Sequence, residues 1–162
     1  MDVAIRQLTD SDLEAVVAMS LDAWAPVFDS FEDVMGSRVF GLLYPDWRVA
    51  QAQAVSDVCR SDGVEVWVAD AGGRPVGFVA VRSTQEGASA IGEIDMIAVD
   101  PRHQRAGIGR RLLDRALAEM SARGLPLSVI ATGGDPGHAP ARALYEAHGF
   151  TALPLVRYYR VL

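Results

Sequence analysis

The run Glu93-Ile-Asp-Met-Ile-Ala-Val-Asp-Pro-Arg-His-Gln-Arg-Ala-Gly-Ile-Gly-Arg110 restricts the fold more than any other part of the chain. Ile91, Ile94, Ile97 and Val99 are β-branched, and the residues from Met96 to Val99 are apolar without a break, which predicts a strand. Pro101 stops it. Gly107 and Gly109 then open a helix whose apolar stripe is Ile108, Leu112, Leu113, Ala116, Leu117 and Met120, ended by Gly124 and Pro126. A glycine-containing turn that hands a strand to a helix N-terminus points unpaired backbone N–H groups at one spot, and that spot attracts phosphate. Arg102, His103 and Arg105 lie beside it. The stretch therefore predicts a pyrophosphate cradle.

The elements around this stretch follow from local pattern. Val3 to Leu8 reads as a strand, and Thr9 with Asp12 and Ser11 with Glu14 form overlapping capping boxes. A helix follows through Leu13, Val16, Val17, Leu21 and Trp24 and is expected to end before Pro26. Phe28 to Leu43 is less regular, a short helix and a loop, and Pro45 is expected at the first position of a helix reaching Arg60. Val64 to Asp70 and Pro75 to Arg82 read as a hairpin about Gly72-Gly73. Pro126 to Thr132 reads as a strand parallel to the one through Met96, because a crossover helix separates them. A glycine-rich loop at 133–137, a helix from about Ala139 to His148 closed by Gly149, and a further strand within Leu155 to Val161 complete the chain. These elements predict an α/β (α+β) fold in one domain, residues 1–162.

Length and composition exclude several classes. The 162 residues, half of them apolar, make a folded globular chain of one domain by size. The net charge of −6 argues against nucleic-acid binding and mildly favours cationic partners such as amines. No apolar run approaches the ~20 residues of a membrane span. The start, Met1-Asp2-Val3-Ala4-Ile5-Arg6, lacks the pattern of a signal peptide, and the single cysteine, Cys59, forms no internal disulfide, so a cytoplasmic location is expected. No metal is called for. Cys59, late in a helix with no histidine nearby in sequence, reads as a small buried apolar residue rather than a covalent nucleophile.

A dinucleotide fingerprint needs a third glycine where Leu112 stands, and an ATPase phosphate loop needs a lysine, which the chain lacks altogether. Gln104-Arg105-Ala106-Gly107-Ile108-Gly109, by contrast, matches the Gln/Arg-x-x-Gly-x-Gly/Ala signature of the GNAT acyltransferases, preceded by Ile97-Ala98-Val99-Asp100-Pro101. Downstream, Ala141-Arg-Ala-Leu-Tyr145-Glu-Ala-His-Gly149-Phe150 resembles that family's Ala-x-x-Leu-Tyr-x-x-x-Gly-Phe segment. Order and spacing agree over residues 64–162.

The resemblance implies an acyl-CoA N-acyltransferase fold, a mixed central sheet of six to seven strands flanked by about four helices. Residues 64–162 would form the acyl-CoA-binding core and 1–62 the acceptor side. It implies acetyl-CoA as donor, with pyrophosphate held by Gln104, Arg105, Ala106, Gly107, Ile108, Gly109 and Arg110, and pantetheine by main chain at Ile97, Ala98 and Val99. The Ile97 amide would contact the oxyanion. Tyr145 stands where the family's tyrosine acid stands. Glu93 is expected as the base, directly or through water, with Asp95 as helper, since a regular strand puts both on one face unless a bulge intervenes. The family's asparagine, seven residues before the tyrosine, is His138 here, which places His138 beside the cofactor. Trp24, Phe28 and Asp29 are expected to bind the acceptor, an unidentified amine. A non-catalytic acyl-CoA-binding module is the alternative, and apolar tail residues Leu155, Val156, Tyr158 and Tyr159 raise the expectation of a homodimer. His103 is expected as a solvated loop residue, and His148 as a cap on the last turn of its helix.

Overall fold

The computed structural model describes residues 2–162, so the part of the N-terminal reading that rests on Met1 lies outside the described residues. The described residues form two compact units, one of residues 2–23 and 51–131, the other of residues 24–50 and 132–162.

The first unit is built on one sheet of five strands among the described residues: β1 (Ala4–Gln7), β2 (Val64–Asp70), β3 (Pro75–Glu86), β4 (Ser89–Val99) and β5 (Ser128–Ile130), adjacent in that order. The first four run antiparallel to their neighbours, and β5 joins β4 in parallel, as the crossover rule requires. The β2–β3 turn is closed by Ala71 N–H donating to the Arg74 carbonyl at 2.9 Å. Gly72 and Gly73 supply its two positive φ values, 66° and 89°. The central strand β3 is buried continuously from Pro75 to Val81, which marks a strand covered on both faces.

Helix α4 (Ile108–Ala122) returns over β3 and β4, burying Ile108, Leu112, Leu113, Ala116 and Met120. Gly77 of β3 permits this close approach: a Cβ there would lie 3.1 Å from Leu112 Cδ1 and 3.3 Å from Ile108 Cγ2. Arg6 of β1 donates to Asp70 of β2 and to both oxygens of Asp12 at 2.6–2.8 Å, tying the outer strand to the turn before the first helix. Asp12 also accepts from the Thr9 N–H and hydroxyl, so the first of the two expected capping pairs forms.

Helices α1 (Leu13–Met35) and α3 (Trp47–Arg60) each contribute residues to both units, while α2 (Ser37–Leu43) and α5 (Ala139–Ala147) lie wholly in the second.

The mixed α/β architecture is the one expected from the sequence, with three differences. The sheet has five strands instead of six or seven, because residues 150–162 adopt no regular structure and are exposed almost throughout. Strand propensity expresses a fit to a pleated, half-buried surface, and Leu155 and Val156, 84 and 74 % exposed, have none. Helix α1 does not stop before Pro26 but carries it internally. Val27, Phe28 and Ser30 beyond the proline are buried, and that burial outweighs the one lost backbone hydrogen bond. Pro45 sits in a turn ahead of α3 rather than at its first position.

Candidate active site

In the first unit, β4 carries the acidic pair and the strand edge. Its register against β3 shifts by one residue: Ala80 faces Met96, but Val81 faces Ile94, which leaves Asp95 as the extra residue of a bulge. The bulge breaks the alternation that would have placed Glu93 and Asp95 on one face. Glu93 lies opposite Arg82 across the β3 ladder, and Asp95 forms an ion pair with that same Arg82. Asp95 is thus committed to an arginine that sequence reading had not singled out. β5 pairs with β4 only at Gly92, Glu93 and Ile94. Past Ile94, through Ile97, Ala98 and Val99, β5 gives β4 no partner, and a strand edge without a partner presents N–H and C=O groups to an added chain.

The turn after β4 has the backbone of an anion nest. Arg105 is in the left-handed region at φ 64° and Gly107 at φ 76°. Arg105 stands out as the non-glycine residue with positive φ among those described, a conformation that costs on the order of 1–3 kcal/mol. No side chain caps α4 at Gly107, so the amides of its first turn lack a side-chain acceptor. Gln104, Arg105, Ala106, Gly107 and Arg110 are exposed, Ile108 is buried beneath them, and Gly109 is half-buried. Gln104 Nε2 donates to the Val99 carbonyl at 3.1 Å, fastening the turn to the strand end. A diphosphate suits this turn: its backbone is left-handed at Arg105 and Gly107, no side chain caps the helix, and a Cβ added at Gly107 would point into open space.

Asp100 anchors the turn. Its buried carboxylate accepts from Arg102 N–H at 2.9 Å, Nε at 3.0 Å and Nη2 at 2.7 Å. Those bonds, opposed by burial, hold it near a pKa of about 2. A carboxyl whose pKa is lowered by folding stabilises the fold above the unfolded value of ~3.9 and loses that contribution as pH falls towards 2. Arg102 is mostly exposed, so solvent screening limits the effect. Asp100→Asn is expected to lower unfolding stability by about 1–2 kcal/mol at pH 7, with the difference vanishing near pH 2. Urea unfolding of both proteins at the two pH values measures this. His103 proves half-buried, with its Nδ1 3.6 Å from Asp100, instead of solvated as expected.

In the second unit, α5 carries Tyr145, buried with its ring 6.1 Å from that of Phe150. Burial pushes the phenol up to about 12, so it stays protonated at neutral pH and is a hydrogen-bond donor. His148 Nδ1 lies 2.7 Å from the Leu144 carbonyl, the helix-end cap expected of it. Phe28 is buried at the centre of an aromatic cluster, stacked on Trp47 at 4.2 Å and edge-on to Phe31 and Tyr44. It therefore packs the cluster rather than walling an open pocket, and the half-buried Phe31, Tyr44 and Trp47 are its outer members. Trp24 is half-buried and Asp29 exposed.

Before α5, Asp135 collects hydrogen bonds that sequence reading missed. Its Oδ2 accepts from Ser30 Oγ at 2.7 Å and Gly137 N–H at 3.0 Å, and its Oδ1 lies 2.5 Å from His138 Nδ1. The Phe31 ring lies 5.6 Å from the His138 ring. The Asp-Pro-Gly-His order offered a local capping signal for Asp135, but Ser30 lies 105 residues away and left no trace. Cys59 is half-buried with its thiol pushed up to about 11, which disfavours it as a nucleophile. Among the described residues no group of three potential ligands could hold a metal ion, and no helix is long and apolar enough to cross a membrane.

Comparison with known proteins gives concordant results. The profile of the Acetyltransferase (GNAT) family matches residues 27–150. A mycothiol acetyltransferase of Thermomonospora curvata is 34 % identical over 156 residues, covering 90 % of this chain and 50 % of that protein. One from Clavibacter michiganensis subsp. michiganensis is 46 % identical over 77 residues, 48 % of this chain and 22 % of the relative. The chain thus spans no more than about half the length of these curated relatives. Among solved structures, AAC(6')-Iy in complex with a bisubstrate analogue, CoA-S-monomethyl-acetylneamine, superposes with a TM-score of 0.69 at 18 % identity, covering 100 % of this chain and 99 % of that one. The aminoglycoside 6'-N-acetyltransferase AAC(6')-IG of Acinetobacter haemolyticus gives 0.69 at 14 %, covering 98 % of each chain. At such identities these two likenesses speak for the fold.

Proposed function

The chain belongs to the acetyltransferase (GNAT) family, and from that premise we propose that it transfers an acetyl group from acetyl-CoA to a primary amine of a small molecule or peptide by direct attack in a ternary complex. The observation that carries this reading is the joint presence of an uncapped, left-handed turn at the start of α4 and a buried, protonated tyrosine on α5. A mere binding module needs the first and not the second.

The residue roles follow from chemistry. The turn from Gln104 to Arg110 holds the pyrophosphate through backbone amides, and main chain at Ile97, Ala98 and Val99 holds the pantetheine arm along the edge of β4 that β5 leaves unpartnered. The bound donor supplies an activated acyl carbon with a thiolate leaving group of pKa ~8.5. An alkyl ammonium, pKa ~10.4, must lose a proton before it can attack. We assign that proton to Glu93, directly or through water. Asp95 acts indirectly, by holding Arg82 opposite Glu93. The Ile97 amide steadies the oxyanion, and Tyr145 donates a hydrogen bond to the departing sulfur. Its elevated pKa makes full proton transfer uphill, so it stabilises the thiolate until solvent supplies a proton. With Cys59 held as a thiol, no acyl-enzyme step is invoked.

Trp24 and Asp29, with the exposed acids Glu32 and Asp33 on the same helix, are assigned to the acceptor side, where negative charge suits a cationic amine, and the buried Phe28 supports them from within the aromatic cluster. The names of the solved neighbours make aminoglycosides a natural part of a first acceptor panel, beside polyamines and peptides. Use of acetyl-CoA fits a cytoplasmic site of action. Calorimetry with CoA, combined with thiol release from acetyl-CoA over that panel, tests the reading. CoA binding with amine-dependent release supports it, and binding with no release on any amine replaces it with a binding module.

A homodimer is the assembly we assign, on the strength of the exposed apolar residues Leu153, Leu155, Val156 and Tyr158 in the tail. Light scattering is expected to give twice the 17.4 kDa chain mass, and truncation after Phe150 to return it to the monomer value.

A further inference from the structure

His138 occupies the position of the family's asparagine, yet its surroundings are those of a proton acceptor. The Asp135 carboxyl faces two opposed influences: burial, which would raise its pKa, and hydrogen bonds from His138 and Ser30, which together hold it below the ordinary carboxylate range. Ionised at neutral pH, it offers only lone pairs. Of the contacts it makes, Ser30 Oγ and Gly137 N–H both donate to Oδ2, leaving Oδ1 for His138 Nδ1 at 2.5 Å. Nδ1 must therefore carry the proton, and in the neutral ring Nε2 is a bare lone pair.

The orientation is firmly held. The side chains of His138 and Asp135 are 15 and 6 % exposed. Arg142 Nη1 donates to the Gly133 and Asp135 carbonyls at 2.6 and 2.8 Å, fixing the loop rather than neutralising the carboxylate. Gly137 permits the fit, since a Cβ there would lie 2.7 Å from Ser30 Cβ and 3.0 Å from the Val27 backbone. Asp135 and Arg142 are thus the charged groups of the turn and α5 beside the ring. From α1 come the uncharged Ser30 and Phe31, and its acids Asp29, Glu32 and Asp33 are exposed. His138 is the N-cap of α5, the helix that carries Tyr145 seven residues later.

We propose that Asp135 is a positioning residue that holds His138 in the Nδ1–H tautomer, so that His138 Nε2 accepts a proton from the acceptor amine. The assignment rests on the acetyl-transfer reading and deepens it. Over one turnover the nitrogen of R–NH3+ loses two protons as its lone pair bonds to the acyl carbon and the C–S bond breaks; the thiolate takes up one proton and the other reaches solvent. His138 is assigned one of the two protons that the nitrogen loses. An asparagine at 138 contacts a cofactor but cannot take a proton, which separates the two roles experimentally.

The test uses the full chain as His138→Asn and Asp135→Asn, with calorimetric CoA affinity, the pH profile of kcat/KM, and 15N NMR of the imidazole. H138N is expected to bind CoA within about threefold of the wild type and to lose about 100-fold in kcat/KM at pH 7. That loss should shrink as pH approaches the amine pKa and the amine arrives unprotonated. In D135N the amide oxygen keeps Ser30 and Gly137, so its NH2 group meets Nδ1. The ring is then forced into the Nε2–H tautomer, and the same kinetic loss is expected with the imidazole proton visibly moved. Wild-type kcat/KM in H138N, or a pH-independent loss that tracks weakened CoA binding, overturns the proposal. If the wild type acetylates no amine, the acetyl-transfer reading has failed instead. The tautomer then decides the positioning claim by itself: Nδ1–H in the wild type and Nε2–H in D135N sustain it, and Nε2–H in the wild type overturns it.

Discussion

Tyr145→Phe is expected to lower kcat about 100-fold while changing CoA affinity by less than about threefold. The substitution removes one oxygen from a side chain that is 8 % exposed and packed against Phe150, so the ring contacts persist and little cavity is left. What disappears is a donor held protonated by burial, its pKa pushed up to about 12. A positioned acid contributes roughly 10²–10⁴-fold, and the lower end fits a group that stabilises the thiolate without fully protonating it. Glu93→Gln should produce a companion loss that is greatest at neutral pH, where the amine arrives as an ammonium. Steady-state kinetics with saturating acetyl-CoA, beside calorimetry with CoA, separates turnover from affinity. A Y145F protein with wild-type kcat would remove the acid role of Tyr145.

Gly107→Val should act on the other half of the reaction. At φ 76° a β-branched residue is strained, at a stability cost on the order of 1–3 kcal/mol. A Cβ at Gly107 would meet no protein atom within 4 Å, so no clash adds to that figure. In the proposed mode of binding, the open space it enters is where the diphosphate approaches the amides of the turn. CoA affinity is expected to fall about 100-fold, equivalent to about 2.7 kcal/mol. Gly107→Ala, with a smaller side chain and less strain, should fall between Val and the wild type. Calorimetry with CoA at a temperature where both variants remain folded reads the effect. Unchanged affinity in G107V would mean that the diphosphate is held elsewhere.

The sequence was most legible where function depends on local backbone. The strand from Ile91 to Val99, the turn at Gly107 and the stripe of α4 are encoded within thirty or so consecutive residues, as are the Gly72-Gly73 hairpin and the short helix that presents Tyr145. Legibility fell where two distant segments decide the outcome. Pro26 looked like a helix stop because the burial of Val27, Phe28 and Ser30 cannot be read from a proline. Leu155 to Val161 looked like a strand because its propensity is real, although no pleated surface receives it. A bulge in β4 could be anticipated, but its position at Asp95, and the commitment of Asp95 to Arg82, follow from the β3 register. Asp135 lay in a stretch read only as a glycine-rich loop, and its pairing with His138 could not be seen there, since Ser30, which also bonds its carboxylate, belongs to a helix more than a hundred residues earlier. Phe28 fell in a stretch read as irregular and was expected to bind the acceptor, and nothing local marked it as the buried centre of a cluster joining Phe31, Tyr44 and Trp47.

The most direct measurement incubates the chain with acetyl-CoA and each member of an amine panel, and records released thiol and N-acetylated product by mass. At least one amine should yield product and free CoA in a one-to-one ratio, with the protein's own mass unchanged throughout. CoA binding by calorimetry with no product from any amine, or an acetyl group lodged on Cys59, would contradict direct transfer to an amine.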